Sequence, residues 1–175
     1  MKSLGILFGV AFLIGVLAIG CSSGDSSTDE AATSPDPSLT AKYVLSEEPA
    51  DVLDVAKLLE TVEDGQEVAV VGRVGGSRTP FIDGLAAFTL VDTRLEPCPD
   101  AEGCPTPWDF CCDRSILPKN MLTIKVVDGE DRPVEQGAAS LLGIEELSLV
   151  VAHGHAAVDE AGNVSILTDG VFVRP

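Results

Sequence analysis

Cys98, Cys104, Cys111 and Cys112 crowd into one Pro-rich stretch, residues 97–113, in the spacing Cys-x5-Cys-x6-Cys-Cys. Thiols placed in this way have three chemistries open to them. In an oxidising compartment they pair, and four thiols allow three pairings. A bridge between the adjacent Cys111 and Cys112 closes a strained ring, which favours the two arrangements that tie Cys98 and Cys104 to that pair. Each such bridge closes a loop of roughly 10 residues, for which chain-entropy arguments give about 2–3 kcal/mol. Four thiolates also hold Zn tetrahedrally, although the paired Cys-x2-Cys knuckles of common zinc modules are missing and adjacent ligands are awkward to aim at one ion. A labile redox pair is the third chemistry, because Cys111 and Cys112 follow a helix start and thiolates are favoured near helix N-termini. That start is Thr106 as N-cap, Pro107 at the first helical position and Asp109 as the acid of an approximate capping box, which presents Trp108 at a fixed angle.

The remaining candidates are sparser. His153-Gly154-His155 puts two imidazoles on one face of a strand, because side chains alternate with period 2. They are weak candidates for Cu or Zn, short of the three or four ligands a metal site uses. Gly75-Gly76-Ser77-Arg78 reads as a flexible loop able to meet a ligand, without the Gly-Lys-Ser/Thr ending of a phosphate loop. Arg73, Arg78 and Trp108 are the candidate ligand contacts. No Gly-x-Ser-x-Gly, His-Glu-x-x-His or dinucleotide fingerprint occurs in the sequence, and the scattered Asp and Glu residues read as solubilising charge. The first expectation is therefore a non-enzymatic binding module, with a metal-binding or thiol-redox protein built on the Cys98–Cys112 loop as the alternative.

The amino-terminal region bears on where such a module works. Ala18-Ile19-Gly20-Cys21 ends an apolar run that starts at Leu4 behind Lys2, and Ser22-Ser23-Gly24-Asp25 breaks it abruptly. This is the pattern of a lipoprotein signal peptide, residues 1–20, with Cys21 as the lipidated residue, although Ala18 stands where the strongest such motifs have Leu. The run is shorter than the roughly 20 apolar residues a membrane span needs. Acyl chains on Cys21, at about 0.8 kcal/mol per buried methylene, make a tether that is effectively permanent. Ser22 after the lipidated residue points to the outer membrane, so the chain is expected in the bacterial cell envelope. Residues 21–49, rich in Ser, Thr, Asp, Glu, Pro and Ala and interrupted by Pro35 and Pro37, read as a flexible acidic linker. That leaves residues 50–175 as the folded domain.

The formal net charge of the 175 residues is −17. Residues 65–175 alone carry 17 Asp and Glu against 8 Lys and Arg, so the acidity belongs to the domain as well as to the linker. Nucleic-acid binders draw most of their affinity from Lys and Arg on phosphates, and this pattern argues against that class. The expected partners are the membrane, through the lipid, and an envelope protein, glycan or small ligand.

Within the domain, Asp51 followed by Val52, Val55, Ala56 and Leu59 predicts an N-capped amphipathic helix. Val68 to Val74, Ala87 to Val91 and Leu122 to Val127 predict three strands, separated by turn signals at Asp83-Gly84 and Asp128-Gly129. Val134 to Leu142 reads as a second helix and Leu147 to Val158 as a long strand. Gly162-Asn163 turns into a strand over Val164 to Leu167, and Asp169-Gly170 then leads to Val171, Phe172 and Val173. A helix between the third and fourth of five strands predicts a mainly β, OB-like five-stranded barrel with a short N-terminal helix. An open sandwich of the same strands is the other architecture, since shear is not written in the sequence.

Gly72-Arg73-Val74-Gly75-Gly76, Pro80-Phe81-Ile82-Asp83-Gly84, Ala87-Phe88-Thr89-Leu90-Val91-Asp92 and Thr106-Pro107-Trp108-Asp109-Phe110-Cys111-Cys112 resemble a set of uncharacterised exported bacterial OB-like proteins. The resemblance runs from Asp51 to Arg174, with Thr-Pro-Trp-Asp-aromatic-Cys-Cys as its signature. It implies the fold and brings no reaction with it. The periplasmic haem chaperone of cytochrome c maturation shares export and an OB barrel, but neither His153 nor His155 is followed four residues later by the Tyr its haem-attaching His requires.

Overall fold

The computed structural model describes residues 37–99 and 103–175; Cys21 and the signal-peptide pattern of residues 1–20 lie outside the described residues. In chain order the elements are α1 (Pro37–Tyr43), β1 (Leu53–Asp54), α2 (Val55–Thr61), β2 (Glu67–Val74), β3 (Ala87–Val91), β4 (Met121–Val126), α3 (Ala138–Leu142), β5 (Leu149–Val158) and β6 (Val164–Val173). The strands pair in the order β1-β2-β3-β4-β6-β5, and β5 returns to β2. That last pairing runs antiparallel from Glu67 opposite His155 to Arg73 opposite Leu149, and it closes a five-stranded barrel. β4 and β6 run parallel, with Thr123 opposite Ser165 and Val126 opposite Thr168, and α3 bridges the gap between β4 and β5. This is the OB-like arrangement, and closure removes the open sheet edges on which other chains could pair.

The barrel closes because alternate residues of every strand have an apolar destination. Val68, Val70 and Val74 of β2 meet Phe88, Leu90, Leu122, Ile124, Val150, Ala152 and Ile166 inside, all buried. The opposite face of β2 is apolar too, since Ala69 and Val71 pack with Val151 in a small outer cluster. A strand buried on both faces reads as a near-continuous apolar run, as Val68 to Gly72 does.

Four features differ from the sequence reading. The stretch assigned to the linker folds in its second part. Pro37 starts α1, a position Pro favours because its missing N–H has no helical partner to lose, and Tyr43 at its end is 2% exposed in the barrel core. Leu45 then donates its N–H to the Val171 carbonyl. The helix expected from Asp51 begins only at Val55, because Leu53 and Asp54 are held as a parallel pair opposite Val70 and Val71. Its first turn is capped from elsewhere: the buried Asp92 Oδ2 accepts the Ala56 N–H at 2.7 Å. The second helix shrinks to Ala138–Leu142, because Val134 donates its N–H to the Val126 carbonyl and accepts from the Ala86 N–H as part of the sheet. Finally, Asp169-Gly170 does not end a strand. β6 continues to Val173 across a register shift at His153/Gly154, a bulge of the kind that bends strands around a barrel. No helix among the described residues is long and apolar enough to cross a membrane.

Candidate functional site

The connection from β3 to β4 leaves the barrel, and its own hydrophobic core decides its shape. Leu95, Phe110 and Leu117 are buried with Val91 in a cluster separate from the barrel interior, with Met121 and Leu147 packed at its edge. Phe110, 1% exposed, has φ +52°, and it separates two short 3-10 turns, Pro107–Asp109 and Cys111–Asp113. A left-handed conformation is costly for a bulky residue, and here the buried ring and the turn bonds on either side fix it. Asp109 donates its N–H to the Thr106 carbonyl and Asp113 to that of Phe110. The reversal at Phe110 brings Cys111 back toward Cys98, whose own N–H is held by the Pro107 carbonyl.

Trp108 anchors this loop through two hydrogen bonds. Its carbonyl accepts the Gly76 N–H at 2.8 Å, and its indole N–H donates to the Arg78 carbonyl at 3.2 Å. Gly75 allows the approach, since a Cβ there would collide with the Trp108 carbonyl oxygen and the Phe110 ring. The Gly-Gly loop expected to meet a ligand is thus the seat of the Cys loop. Of the candidate ligand contacts, Arg78 and Trp108 meet through that indole hydrogen bond, and Arg73 keeps a buried Nε without a hydrogen-bond partner.

The loop does bring thiols together. Cys98, Cys104, Cys111 and Asp109 each offer a ligand atom within 4.8 Å of all the others. Cys111 Sγ lies 3.5 Å from Cys98 Sγ and 3.9 Å from Cys104 Sγ, and the thiols are unbridged. Cys98 is buried, Cys104 and Cys111 half-buried, and Cys112 exposed. Asp109, 7% exposed, is fixed by two donors, Thr106 Oγ1 at 3.0 Å to Oδ2 and the Cys111 N–H at 2.9 Å to Oδ1. The expected capping box is therefore present only in part. Thr106 bonds the Asp109 side chain and caps no backbone N–H.

Electrostatics divides these groups. The Cys112 backbone N–H stabilises the Cys98 thiolate, and with the neighbouring thiols it outweighs burial and lowers that pKa. Cys111 goes the other way. It donates to Cys98, to the Asp109 carboxylate and to Cys104, and these together with burial raise its pKa strongly. Burial opposes the ionised form of Asp109, but the Cys111 N–H and Thr106 outweigh it and keep the carboxyl below its ordinary range. Cys98 and Asp109, the two groups whose ionised forms the site favours, thus flank a thiol whose ionised form it disfavours. A cation at their centre favours all three ionised forms, and by binding Cys111 it displaces the proton.

His153 and His155 sit together elsewhere, on β5, where both line one cavity of about 610 Å³. Sequence reasoning did not single out the acids around them, Glu67, Asp131 and Asp169, and assigned Asp109 a capping role alone. The signal for Asp109 was its place one residue before Phe110-Cys111, inside the most distinctive stretch of the chain. No protein-family model matches the sequence, and no significant match to it occurs among curated proteins.

Proposed function

We propose that this chain is a lipid-anchored envelope protein whose OB-like barrel carries a thiolate-rich metal centre, with Cys98, Cys104, Cys111 and Asp109 as ligands to one Zn(II) ion. One observation carries the reading: Cys111 Sγ stands at nearly equal distances from two other sulfurs, 3.5 and 3.9 Å, with a carboxylate oxygen in the same cluster. Tetrahedral Zn with bonds of about 2.3 Å to sulfur sets ligand edges of roughly 3.8 Å. A disulfide instead gives each sulfur a single partner at about 2.05 Å. The opposite directions of the Cys98 and Cys111 pKa shifts support the same reading, because an added positive charge favours the ionised form of both. The anchor rests on the residues 1–20 pattern and on Cys21.

A thiol-redox role is less well supported, because Cys98, the thiol whose pKa is lowered, is 4% exposed and so hidden from a partner's disulfide. The test is metal content. The full chain, purified in detergent without chelators, should contain one Zn per chain and lose it on Cys111→Ser with its far-UV circular dichroism unchanged. Protein free of stoichiometric soft metal, with its thiols mapped as two disulfides, would overturn the metal reading. Palmitate labelling that disappears on Cys21→Ser checks the anchor; persistent labelling or an intact leader contradicts it.

A further inference from the structure

The outer face of β5 carries two imidazoles that the thiol centre leaves unused. His153 and His155 open into the same cavity, and each turns its Nε2 toward a carboxylate. His153 Nε2 lies 3.3 Å from Glu67 Oε1, and His155 Nε2 lies 3.8 Å from Asp131 Oδ1. An ion held tetrahedrally by N and O atoms at about 2.0–2.1 Å sets ligand edges of roughly 3.4 Å, so the first pair already stands at that separation. The other nitrogen of His153 has an acid of its own: Nδ1 is 3.9 Å from Asp169 Oδ1, where the supporting carboxylate behind a metal-bound imidazole belongs.

The backbone is shaped to this end. At the β5–β6 register shift His153 faces Gly170 and Gly154 faces Thr168, so Asp169 is the extra residue of the bulge, delivered beside His153. Gly154 separates the imidazoles because a Cβ there would run into the Leu167 carbonyl oxygen. Among the described residues only the thiol set has its donors within 4.8 Å of one another, so an ion here must draw the two His–acid pairs together, and the imidazole side chains, 39% and 38% exposed, have room to turn.

We propose that His153, His155, Glu67 and Asp131 form a second metal site, distinct from the thiol centre, that takes a divalent transition-metal ion of the kind favouring imidazole and carboxylate donors. Zn(II) and Cu(II) fit this donor set, and Asp169 acts as the positioning residue for the His153 ring. The chain has only 2 His, so imidazole-detected NMR of the ¹⁵N-labelled full chain in detergent reads the site directly. With the thiols reduced, Zn(II) should shift both Nε2 resonances together, saturating at one ion beyond the thiol equivalent. Glu67→Gln with Asp131→Asn should abolish saturation at that equivalent, and Asp169→Asn should weaken it by about 10–100-fold. Resonances that stay put, that titrate independently, or that behave identically in the acid variants would overturn the proposal. Cys111→Ser separates the two readings: it should remove the thiol equivalent and leave the imidazole titration unchanged. An imidazole titration lost with Cys111 would likewise overturn a distinct second site.

Discussion

The Cys loop and the His face of β5 gather metal-binding side chains by opposite means. The thiols come from the connection between β3 and β4, outside the sheet, and a private core of Leu95, Phe110 and Leu117, a left-handed residue and the Trp108 hydrogen bonds hold them in place. The imidazoles come from neighbouring positions of one strand, placed by alternation and a single bulge, and their side chains remain more than a third exposed. One region is shaped before an ion arrives; the other must turn its side chains to receive one. The difference teaches that affinity and stability should be linked in the loop and separable on the strand, because only the loop's donors sit above a packed cluster of their own.

The largest effect expected from breaking that contrast is on metal affinity. Cys111→Ser should weaken Zn binding at the loop by more than about 100-fold, beyond what loss of a supporting residue costs, as read by competition with a chromophoric chelator. Next comes the loop's own core. Phe110→Ala should cost about 3–5 kcal/mol if the loop unfolds together with the barrel, as a buried aromatic truncation does, measured by urea unfolding. An m-value that falls, or a second transition, would show instead that the loop melts by itself.

Asp92 is the joint between barrel and loop, and its effect should be intermediate. It lies at the end of β3, fully buried, accepting the Ala56 N–H at 2.7 Å and pairing with Arg94 Nε at 2.8 Å. Asp92→Ala leaves a donor of α2 unsatisfied and should cost about 1–3 kcal/mol in the same unfolding experiment. Burial alone would raise the Asp92 pKa, but Arg94 and the backbone N–H groups of Ala56 and Arg94 overcome it, so the folded value lies below the ordinary one. A lowered carboxyl pKa contributes stability that is present above the unfolded value of about 3.9 and disappears as pH falls through the folded value. Stability of the wild type should therefore decline below about pH 4 more steeply than that of Asp92→Ala. Smallest of all should be His153→Ala, within about 0.5 kcal/mol by thermal unfolding without added metal, because its partners Glu67 and Asp169 are largely exposed.

The barrel was legible because its strands obey a rule that sequence carries directly. The alternation through Val68, Val70 and Val74, the turns after each strand and a helical pattern before the fourth strand gave both the elements and their order. What escaped depended on contacts across the chain. α1 was hidden by a composition typical of linkers, and only Pro37 at a helix start with Leu39 and Tyr43 behind it hinted that an apolar face had somewhere to go. The start of α2 moved because Asp92, thirty-six positions away, supplies the acceptor that Asp51 was expected to supply. The thiol stretch was visible as a motif, yet its spacing spoke against a shared ion. Adjacent Cys111 and Cys112 need not aim at one ion, because Asp109 provides the fourth ligand atom of the close set and Cys112 lies outside it. Around the imidazoles, the bulge that delivers Asp169 is a product of barrel curvature, which no local pattern announces.

The central claim is that three sulfurs and one oxygen share an ion. X-ray absorption at the zinc edge, on the reduced full chain loaded with one equivalent of Zn(II), tests it most directly. The predicted result is three sulfur scatterers at about 2.3 Å and one oxygen at about 2.0–2.2 Å. A first shell of nitrogen and oxygen alone would contradict it.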